Sequence, residues 1–251
     1  MCHKAGSRRK KDTFKKISKL FGCTGNYPAK KGKVFMIVSP SVLSLDYAHF
    51  ESQIQALNAS KAEWIHFDVM DGHFVPNLTF GPDILKAYCR SSNLFKDVHL
   101  MVTNPVFFSK VFLDAGADSI TFHYEAMMDT QQIIALAQSI HARGKKAGLS
   151  IKPKTDVSAL IPFIPYFDIF LLMSVEPGFG GQSFMTDMMD KVREIKKYAK
   201  NLNNNLLIEV DGGINEETIK YVKDAGADIC VAGTSIFSSN NYREAISKLR
   251  I

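Results

Sequence analysis

Two histidines and two aspartates crowd the start of HFDVMDGHFVPN, residues 66–77. His66 and Asp68 lie two positions apart, so their side chains would share one face of a β-strand. An imidazole and a carboxylate on one face can form a hydrogen-bonded structural pair, or they can bind a metal ion and exchange protons with a substrate. Both interpretations stay open for this pair. Asp71 and His73 lie beyond the apolar run, where we expect them to shape a loop.

Two further predicted strands carry polar side chains of the same kinds. His99 interrupts the apolar run DVHLMV (97–102), and Asp211 ends the run LLIEVD (206–211). His123 and Glu209 are also polar residues of predicted strands. Two imidazoles and two carboxylates form a mixed nitrogen and oxygen ligand set, which suits Zn²⁺, Fe²⁺, Mn²⁺ or Co²⁺. The sequence therefore predicts a metal site that consists of His66, Asp68, His99 and Asp211.

Glycines mark a second kind of site. EPGFGGQ (176–182), DGG (211–213) and AGTSIF (232–237) each lie at or after the end of a predicted strand. Backbone amides without a neighbouring Cβ can approach an anion closely, and the loops after strands seven and eight are common phosphate sites in parallel barrels. A tight turn would explain any one of these loops, but three consecutive loops indicate a phosphate group. Thr234 and Ser235 would add hydroxyl donors.

The elements that must position these groups alternate regularly along the chain. Short apolar runs alternate with longer stretches of helical spacing or helix formers, such as residues 46–60, 104–117, 130–146 and 186–202. The predicted strands are residues 34–39, 64–69, 97–102, 119–124, 146–151, 168–173, 206–211 and 228–233. Eight such units in residues 34–251 predict a single α/β domain with the (β/α)8 or TIM barrel fold. An open doubly wound sheet has less support, because no GxGxxG motif follows the first strand.

Several helix ends are also marked by residue type. Asn104 and either Asp129 or Thr130 are suitable N-caps. The phrase DAGAD occurs twice, and it places Gly116 and Gly226 where a helix should end and the next strand should begin. We expect both glycines to be C-caps.

The positive charge of the chain is concentrated in its N-terminal segment. Residues 1–33 contain eleven lysines and arginines and a single acid, Asp12. Because the whole chain has a net charge of +6 and this segment alone accounts for +10, residues 34–251 carry a net charge of −4. We expect residues 1–33 to be a basic, flexible extension of the barrel domain. No nucleic-acid partner is expected, since no aromatic platform or reading motif accompanies the basic residues.

Residues 12–23 of this extension have the spacing of a short amphipathic helix, which would fit a membrane surface or an organelle-targeting segment. No apolar run approaches the roughly 20 residues that a membrane-spanning helix needs, so stable membrane insertion is not expected. We expect a cytoplasmic protein, with organelle targeting by the extension as the alternative.

Six segments of the chain can be compared as motifs. They are SPSVLSLD (39–46), HFDVMDGHFVPNLTFGP (66–82), DVHLMV (97–102), TFHYEA (121–126), SVEPGFGGQSFM (174–185) and EVDGGI (209–214). In this order they resemble the signature segments of the ribulose-phosphate 3-epimerase family, and the resemblance extends over residues 35–250. It implies a (β/α)8 barrel that interconverts D-ribulose 5-phosphate and D-xylulose 5-phosphate in the pentose phosphate pathway with one divalent metal ion. We also expect a homo-oligomer, either a dimer or a hexamer.

The resemblance assigns roles to individual residues as well. The family's metal ligands correspond to the four residues already selected, and Asp68 and Asp211 correspond to its acid and base. Strands two and seven are three steps apart in a ring of eight, so these two carboxylates could face each other across the pocket. The residues that correspond to substrate contacts are Ser41, His99, Gly178, Phe179, Gly180, Gly181, Asp211, Gly212, Gly213, Gly233 and Thr234. Lys154 and Thr234 depart from the family's usual Gly and Ser, and neither departure removes a reacting group.

Two other functions are consistent with the same residues. A related sugar-phosphate 3-epimerase, for example one that acts on allulose 6-phosphate, would share the metal and phosphate sites. A non-catalytic sugar-phosphate-binding barrel would keep the fold, but it would not need both aspartates. The presence of both therefore favours an enzyme.

Overall fold

The computed structural model describes residues 36–203 and 205–250, which contain one sheet of eight parallel strands. The strands are β1 (Ile37–Pro40), β2 (Trp64–Met70), β3 (Phe95–Met101), β4 (Ser119–His123), β5 (Lys146–Ile151), β6 (Ile169–Met173), β7 (Leu207–Asp211) and β8 (Ile229–Ala232). All eight predicted strands are confirmed, although β3 begins two residues before its predicted start and β1 begins at Ile37. Residues 34 and 35, the predicted start of β1, lie outside the described residues. The predicted basic extension, residues 1–33, lies outside the described residues.

The sheet closes on itself. Each strand from β2 to β8 pairs in parallel with its neighbours in chain order, and β8 pairs with β1. A parallel bridge between Ser41 and His66 joins β1 to β2 and completes the ring. Together with the helices that connect the strands, this closure confirms the predicted (β/α)8 barrel.

Helices connect the strands on the outside of the barrel. The α-helices are α1 (Phe50–Asn58), α2 (Pro82–Ser91), α3 (Pro105–Ala115), α4 (Thr130–His141), α5 (Met188–Leu202), α6 (Ile219–Ala225), α7 (Thr234–Phe237) and α8 (Tyr242–Leu249), and 3₁₀ turns cover Val42–Ser44, Tyr47–His49 and Tyr124–Ala126. Between β5 and β6 the connection is a 3₁₀ segment, Val157–Tyr166, because Pro162 and Pro165 remove the backbone donors that an α-helix needs. Within residues 36–203 and 205–250, no helix combines the length and apolar character that a membrane crossing requires.

The predicted helix ends are confirmed at four positions. The side chain of Asn104 accepts a hydrogen bond from the backbone of α3, and that of Asp129 caps α4 in the same way. Gly116 and Gly226 follow α3 and α6 with φ of 111° and 87°. Only glycine adopts this left-handed conformation without a steric penalty, so each DAGAD repeat ends a helix and turns the chain toward the next strand.

Strand alternation separates an outer apolar shell from a filled interior. The outward-facing residues of β2 are Ile65, Phe67 and Val69, which pack in the core shared with the helices. Trp64 points inward and closes the N-terminal end of the barrel together with Ile169 and Ile229. His66 and Asp68 point inward above this apolar plug and are buried. The predicted orientation of both side chains is therefore confirmed.

Gly148 of β5 is the position where the barrel interior leaves least room. It pairs with Thr121 of β4, and a Cβ added at Gly148 would lie 2.1 Å from Thr121 Oγ1 and 3.1 Å from Thr121 Cα. Gly148→Ala should therefore lower the free energy of unfolding by about 1–3 kcal/mol, the usual effect of overpacking a closed interior. Denaturant titration measures this loss. Gly81→Ala is the control, since a Cβ there meets nothing within 4 Å, and equal losses in the two variants would contradict the packing explanation.

Candidate active site

Asp68 lies at the centre of the polar cluster inside the C-terminal end of the barrel. Its Oδ2 accepts a hydrogen bond of 2.6 Å from the hydroxyl of Ser41. Its Oδ1 lies 3.4 Å from His66 Nε2 and 3.3 Å from His99 Nδ1. Strands β2 and β3 and the residue that follows β1 therefore direct side chains at this one carboxylate.

The four predicted metal ligands are brought together. His66, Asp68, His99 and Asp211 each offer one ligand atom, and these atoms all lie within 4.8 Å of one another. The two histidines are fully buried, Asp68 is nearly so, and Asp211 is half-buried at the end of β7. The two aspartates thus line the cavity, while the two imidazoles are buried behind them.

A hydrogen bond to Asp97 fixes the orientation of the His66 ring. Its Nδ1 donates a hydrogen bond of 2.7 Å to Asp97 Oδ2, and Ser119 donates one of 2.5 Å to the other oxygen of the same carboxylate. Because Nδ1 carries the hydrogen, the lone pair of the neutral ring lies on Nε2. His66 Nε2 is a buried nitrogen without a hydrogen-bond partner among the described residues.

These atoms fit a divalent cation. Nitrogen lone pairs and carboxylate oxygens converge, and this donor set suits a borderline transition metal better than Mg²⁺ or Ca²⁺. Burial alone would lower the pKa of His66, but Asp68, Asp97 and Glu209 raise that pKa well above its usual value. A proton on His66 Nε2 and a metal ion are therefore alternative ways of placing positive charge beside Asp68.

The two aspartates differ in their affinity for a proton. Burial alone would raise the pKa of Asp68, but the positive charge of protonated His66, 3.4 Å away, holds that pKa below its usual range. Burial and the charge of Asp68 raise the pKa of Asp211 to about 7. One carboxylate is thus firmly ionised, and the other is poised to gain or lose a proton near neutral pH.

Asp97 and Glu209 form a buried carboxyl pair beneath the site that the sequence argument did not assign. Glu209 Oε1 lies 3.6 Å from His66 Nδ1. Burial and the charge of Asp97 raise the pKa of Glu209 to about 8, so this carboxyl holds a proton at neutral pH. Strand parity could have found both residues, since Asp97 shares a face with His99, and Glu209 shares one with Asp211.

A cavity of about 620 Å³ opens over Asp68 and Asp211 at this end of the barrel. The predicted substrate contacts that line it are Ser41, Gly178, Phe179, Gly180, Gly181, Asp211, Gly212, Gly213, Gly233 and Thr234. His99, the remaining predicted contact, lies behind Asp68 and does not line this cavity. Met70, Met101 and Met173 form part of the wall. The glycine loops after β6, β7 and β8 therefore surround the same space as the two aspartates.

Ser174 anchors the turn that follows β7, a role that no motif in the sequence predicts. This fully buried residue follows β6, and its hydroxyl donates to the carbonyl oxygens of Asp211 and Gly212 at 2.9 and 2.7 Å. Gly213 has a φ of 64°, and a Cβ there would lie 2.7 Å from the backbone nitrogen of Phe184. Only glycine fits at this point, so the turn and the position of Asp211 are tightly constrained.

Asp71 and His73 shape the loop after β2, as predicted. Asp71 Oδ1 accepts hydrogen bonds from the backbone nitrogens of His73 and Phe74, while Oδ2 accepts from the backbone and hydroxyl of Thr103. His73 Nδ1 lies 2.9 Å from the carbonyl oxygen of Asp71. The same loop reaches the phosphate-loop candidate, because Asn77 Nδ2 donates a hydrogen bond of 2.8 Å to the carbonyl of Gly178.

Comparison with known proteins places these features in a family. The model of the ribulose-phosphate 3-epimerase family matches residues 37–237, which include every predicted site residue. The chain belongs to the ribulose-phosphate 3-epimerase family. A Mycobacterium tuberculosis protein named ribulose-phosphate 3-epimerase is 40% identical over 214 residues, covering 85% of this chain and 91% of the relative. A rice protein named as the cytoplasmic isoform of the enzyme is 42% identical over 216 residues, covering 85% and 92%.

Solved structures with lower sequence identity share the barrel. A 3-keto-L-gulonate-6-phosphate decarboxylase from Vibrio cholerae aligns with a TM-score of 0.65 at 16% identity, covering 86% of this chain and 96% of that one. A 3-hexulose-6-phosphate synthase from Salmonella typhimurium aligns with a TM-score of 0.64 at 16% identity, covering 86% and 97%. At this identity the likeness shows the fold alone.

Lys154 and Thr234, the two departures from the motif pattern, lie in different surroundings. Lys154 is exposed, and its Nζ lies 4.0 Å from Glu176 Oε1 at the surface. Thr234 lines the cavity, with its hydroxyl 3.5 Å from that of Ser44. The hydroxyl expected at this position in the ribulose-phosphate 3-epimerase family is thus retained.

Asp97 provides a test of how His66 is oriented. Asp97→Asn removes the charge that holds the hydrogen on His66 Nδ1, and it should weaken the binding of Zn²⁺ or Co²⁺ about 10–100-fold, as loss of a carboxylate partner of a metal-binding histidine commonly does. Competition with a chromophoric chelator measures the change. Ser39→Ala is the matched control, because the Ser39 hydroxyl is buried without a hydrogen-bond partner in the described part of the chain. Equal affinity in the wild type and Asp97→Asn would contradict the orienting role.

Proposed function

We propose that this chain interconverts D-ribulose 5-phosphate and D-xylulose 5-phosphate, with Asp68 and Asp211 as the acid and base and with one divalent metal ion held by His66, Asp68, His99 and Asp211. Membership of the ribulose-phosphate 3-epimerase family supports the reaction. The observation that carries the mechanism is the pair of carboxyl groups from β2 and β7 that line one cavity, where the surroundings lower the pKa of Asp68 and raise that of Asp211. An active epimerase is favoured over a non-catalytic barrel for the same reason.

Inversion at C3 needs proton transfer on both faces of the carbon. One group must remove the proton next to the C2 carbonyl, and a second must return a proton to the opposite face of the planar enediolate. Ionised Asp68 can accept a proton, and Asp211, with a pKa of about 7, can deliver one. After a turnover the two carboxyls have exchanged states, so the reverse reaction uses the same pair in opposite roles.

The proposed divalent ion would be held by the four ligands and would stabilise negative charge on the substrate. When bound, it would supply Lewis-acid stabilisation of the negative charge that develops on the substrate oxygens during enolisation, an effect worth several kcal/mol. The fully buried histidines would supply neutral nitrogen donors, and Asp68 and Asp211 would each supply a carboxyl oxygen. Zn²⁺, Fe²⁺, Mn²⁺ and Co²⁺ all suit this donor set.

The phosphate group belongs at the glycine loops. Among the described residues that line the cavity there is no lysine or arginine, so the phosphate would be held by neutral donors. Backbone amides of Gly213, Gly233 and Thr234 and the hydroxyl of Thr234 are available on this side of the cavity. The ester would then extend from these loops toward Asp68 with its C3 between the two aspartates.

The rice relative is named as a cytoplasmic isoform, and we extend a cytoplasmic location to this chain. The homo-oligomer stays a prediction, with dimer and hexamer as the alternatives.

The two aspartates can be tested one at a time. Asp68→Asn and Asp211→Asn should each lower kcat by at least about 10²–10⁴-fold, the range for loss of a general acid or base. Metal content must be measured in both variants, because each substitution also alters a proposed metal ligand. Asp83→Asn is the control, since Asp83 is an exposed carboxylate of α2 that pairs with Lys86 at the surface. Full epimerisation by either site variant that retains its metal would contradict the two-base assignment.

The substrate and the metal can be tested in one assay series. Protein purified without chelators should convert D-ribulose 5-phosphate faster than allulose 6-phosphate, should lose activity when a chelator removes the metal, and should regain it when a divalent ion is returned. Coupled spectrophotometric assays and metal analysis measure these steps. Faster turnover of the six-carbon ester would favour the related epimerase, and undiminished activity of metal-free protein would contradict the metal assignment.

A further inference from the structure

A second histidine lies against His99 on the side away from Asp68. His99 Nε2 is 2.9 Å from His123 Nε2, and both side chains are fully buried. His123 Nδ1 is 3.3 Å from Glu125 Oε2. Glu125 Oε1 in turn accepts a hydrogen bond of 2.8 Å from the backbone nitrogen of Lys152 and another from the hydroxyl of Thr155. The chain of contacts runs from β3 through β4 to the loop after β5.

The ionised carboxylate of Glu125 sets the direction of every hydrogen bond in this series of contacts. The Glu125 carboxylate accepts from two donors at Oε1, and an ionised carboxylate has no hydrogen to give. His123 Nδ1 must therefore donate to Oε2. A neutral imidazole has a single N–H, so His123 Nε2 accepts, and the donor to it can only be His99 Nε2. This assignment leaves the lone pair of His99 on Nδ1.

The assigned lone pair faces Asp68. His99 Nδ1 and Asp68 Oδ1 lie 3.3 Å apart, and two acceptors at that distance repel each other unless a cation lies beside both. We propose that His123 and Glu125 are positioning residues, which fix the tautomer and the ring plane of His99 so that Nδ1 is presented to a divalent metal ion. The inference rests on the proposed metal function of the site.

Aromatic packing holds the rings of His99 and His123 in one arrangement. The ring of Phe74 contacts that of His123 with centroids 4.9 Å apart, and Lys152 Nζ lies 3.9 Å from the centroid of the Phe74 ring. The two imidazoles are 5.0 Å apart between centroids with a 30° angle between their planes. Each proposed metal-binding histidine thus has its own partner, Asp97 for His66 and the His123–Glu125 pair for His99. The partner of His99 consists of two residues, and its outer end, Glu125, is bonded to Lys152 and Thr155 in the loop after β5.

His123→Gln and His123→Met form a matched pair for the test. Glutamine can place a carbonyl oxygen near the position of His123 Nε2 and keep an acceptor for His99 Nε2–H, whereas methionine has a similar length and only a weak sulfur acceptor. We expect the Kd for Co²⁺, measured by chelator competition, to rise about 10–100-fold in His123→Met and no more than about threefold in His123→Gln. The absorption spectrum of bound Co²⁺ should change in the methionine variant and stay close to wild type in the glutamine variant.

Thermal unfolding of the metal-free proteins separates positioning from stability, since a merely structural role would lower Tm without splitting the two variants in Co²⁺ affinity. If His123→Met does not fold, Glu125→Gln replaces it, with an expected rise in Kd in the same direction. Wild-type Kd and spectrum in His123→Met, or in Glu125→Gln where it is used, would overturn the positioning role while leaving the metal site intact. A wild-type protein that binds no Co²⁺, Zn²⁺, Mn²⁺ or Fe²⁺ would instead overturn the proposed metal function, and the inference with it.

Discussion

The site depends on one constraint, the presence of an ionised carboxylate inside a protein barrel. Asp68 is 4% exposed, and a buried carboxylate without partners would be strongly unfavourable. Ser41, His66 and His99 surround its two oxygens, and the charge of His66 lowers its pKa. The closure of the sheet between β1 and β2 supplies one of these partners directly, because Ser41 lies at that junction. A hydrogen bond therefore joins Asp68, the proposed acid–base residue, to the junction that closes the barrel.

Apolar packing in the rest of the barrel offsets the free-energy cost of this polar interior. The N-terminal end is closed by an apolar plug around Trp64, and the outer faces of the strands pack in one continuous apolar core with the helices. Above the plug, three contacts link polar side chains of neighbouring strands: His66 to Asp97, Asp97 to Ser119, and His99 to His123. Such a network holds side chains in one geometry, which is what a metal-binding and proton-transferring site requires.

Much of this arrangement could be predicted from the sequence, because it follows from periodicity. The eight strands, the inward direction of His66 and Asp68, and the glycine caps at Gly116 and Gly226 are local properties, and all are confirmed. What periodicity could not supply was the pairing of residues distant along the chain. Asp97 and His123 were visible on the correct strand faces, but their partners depend on the register between neighbouring strands. Ser174 was out of reach for the same reason, since its hydroxyl acts on carbonyl groups 37 and 38 residues away.

The distribution of charge in the cavity explains how one pocket could serve both ends of a sugar phosphate. The cavity floor already carries Asp68 and Asp211, so a phosphate dianion placed near them would be repelled. The glycine loops after β6, β7 and β8 line the same cavity, and none of its described lining residues is a lysine or an arginine. Lysines or arginines there could pair with the catalytic carboxylates and disturb their pKa values, as opposite charges do within about 4–6 Å. Neutral donors avoid that interference, so binding of the phosphate and the opposed protonation of the two aspartates can coexist in one pocket.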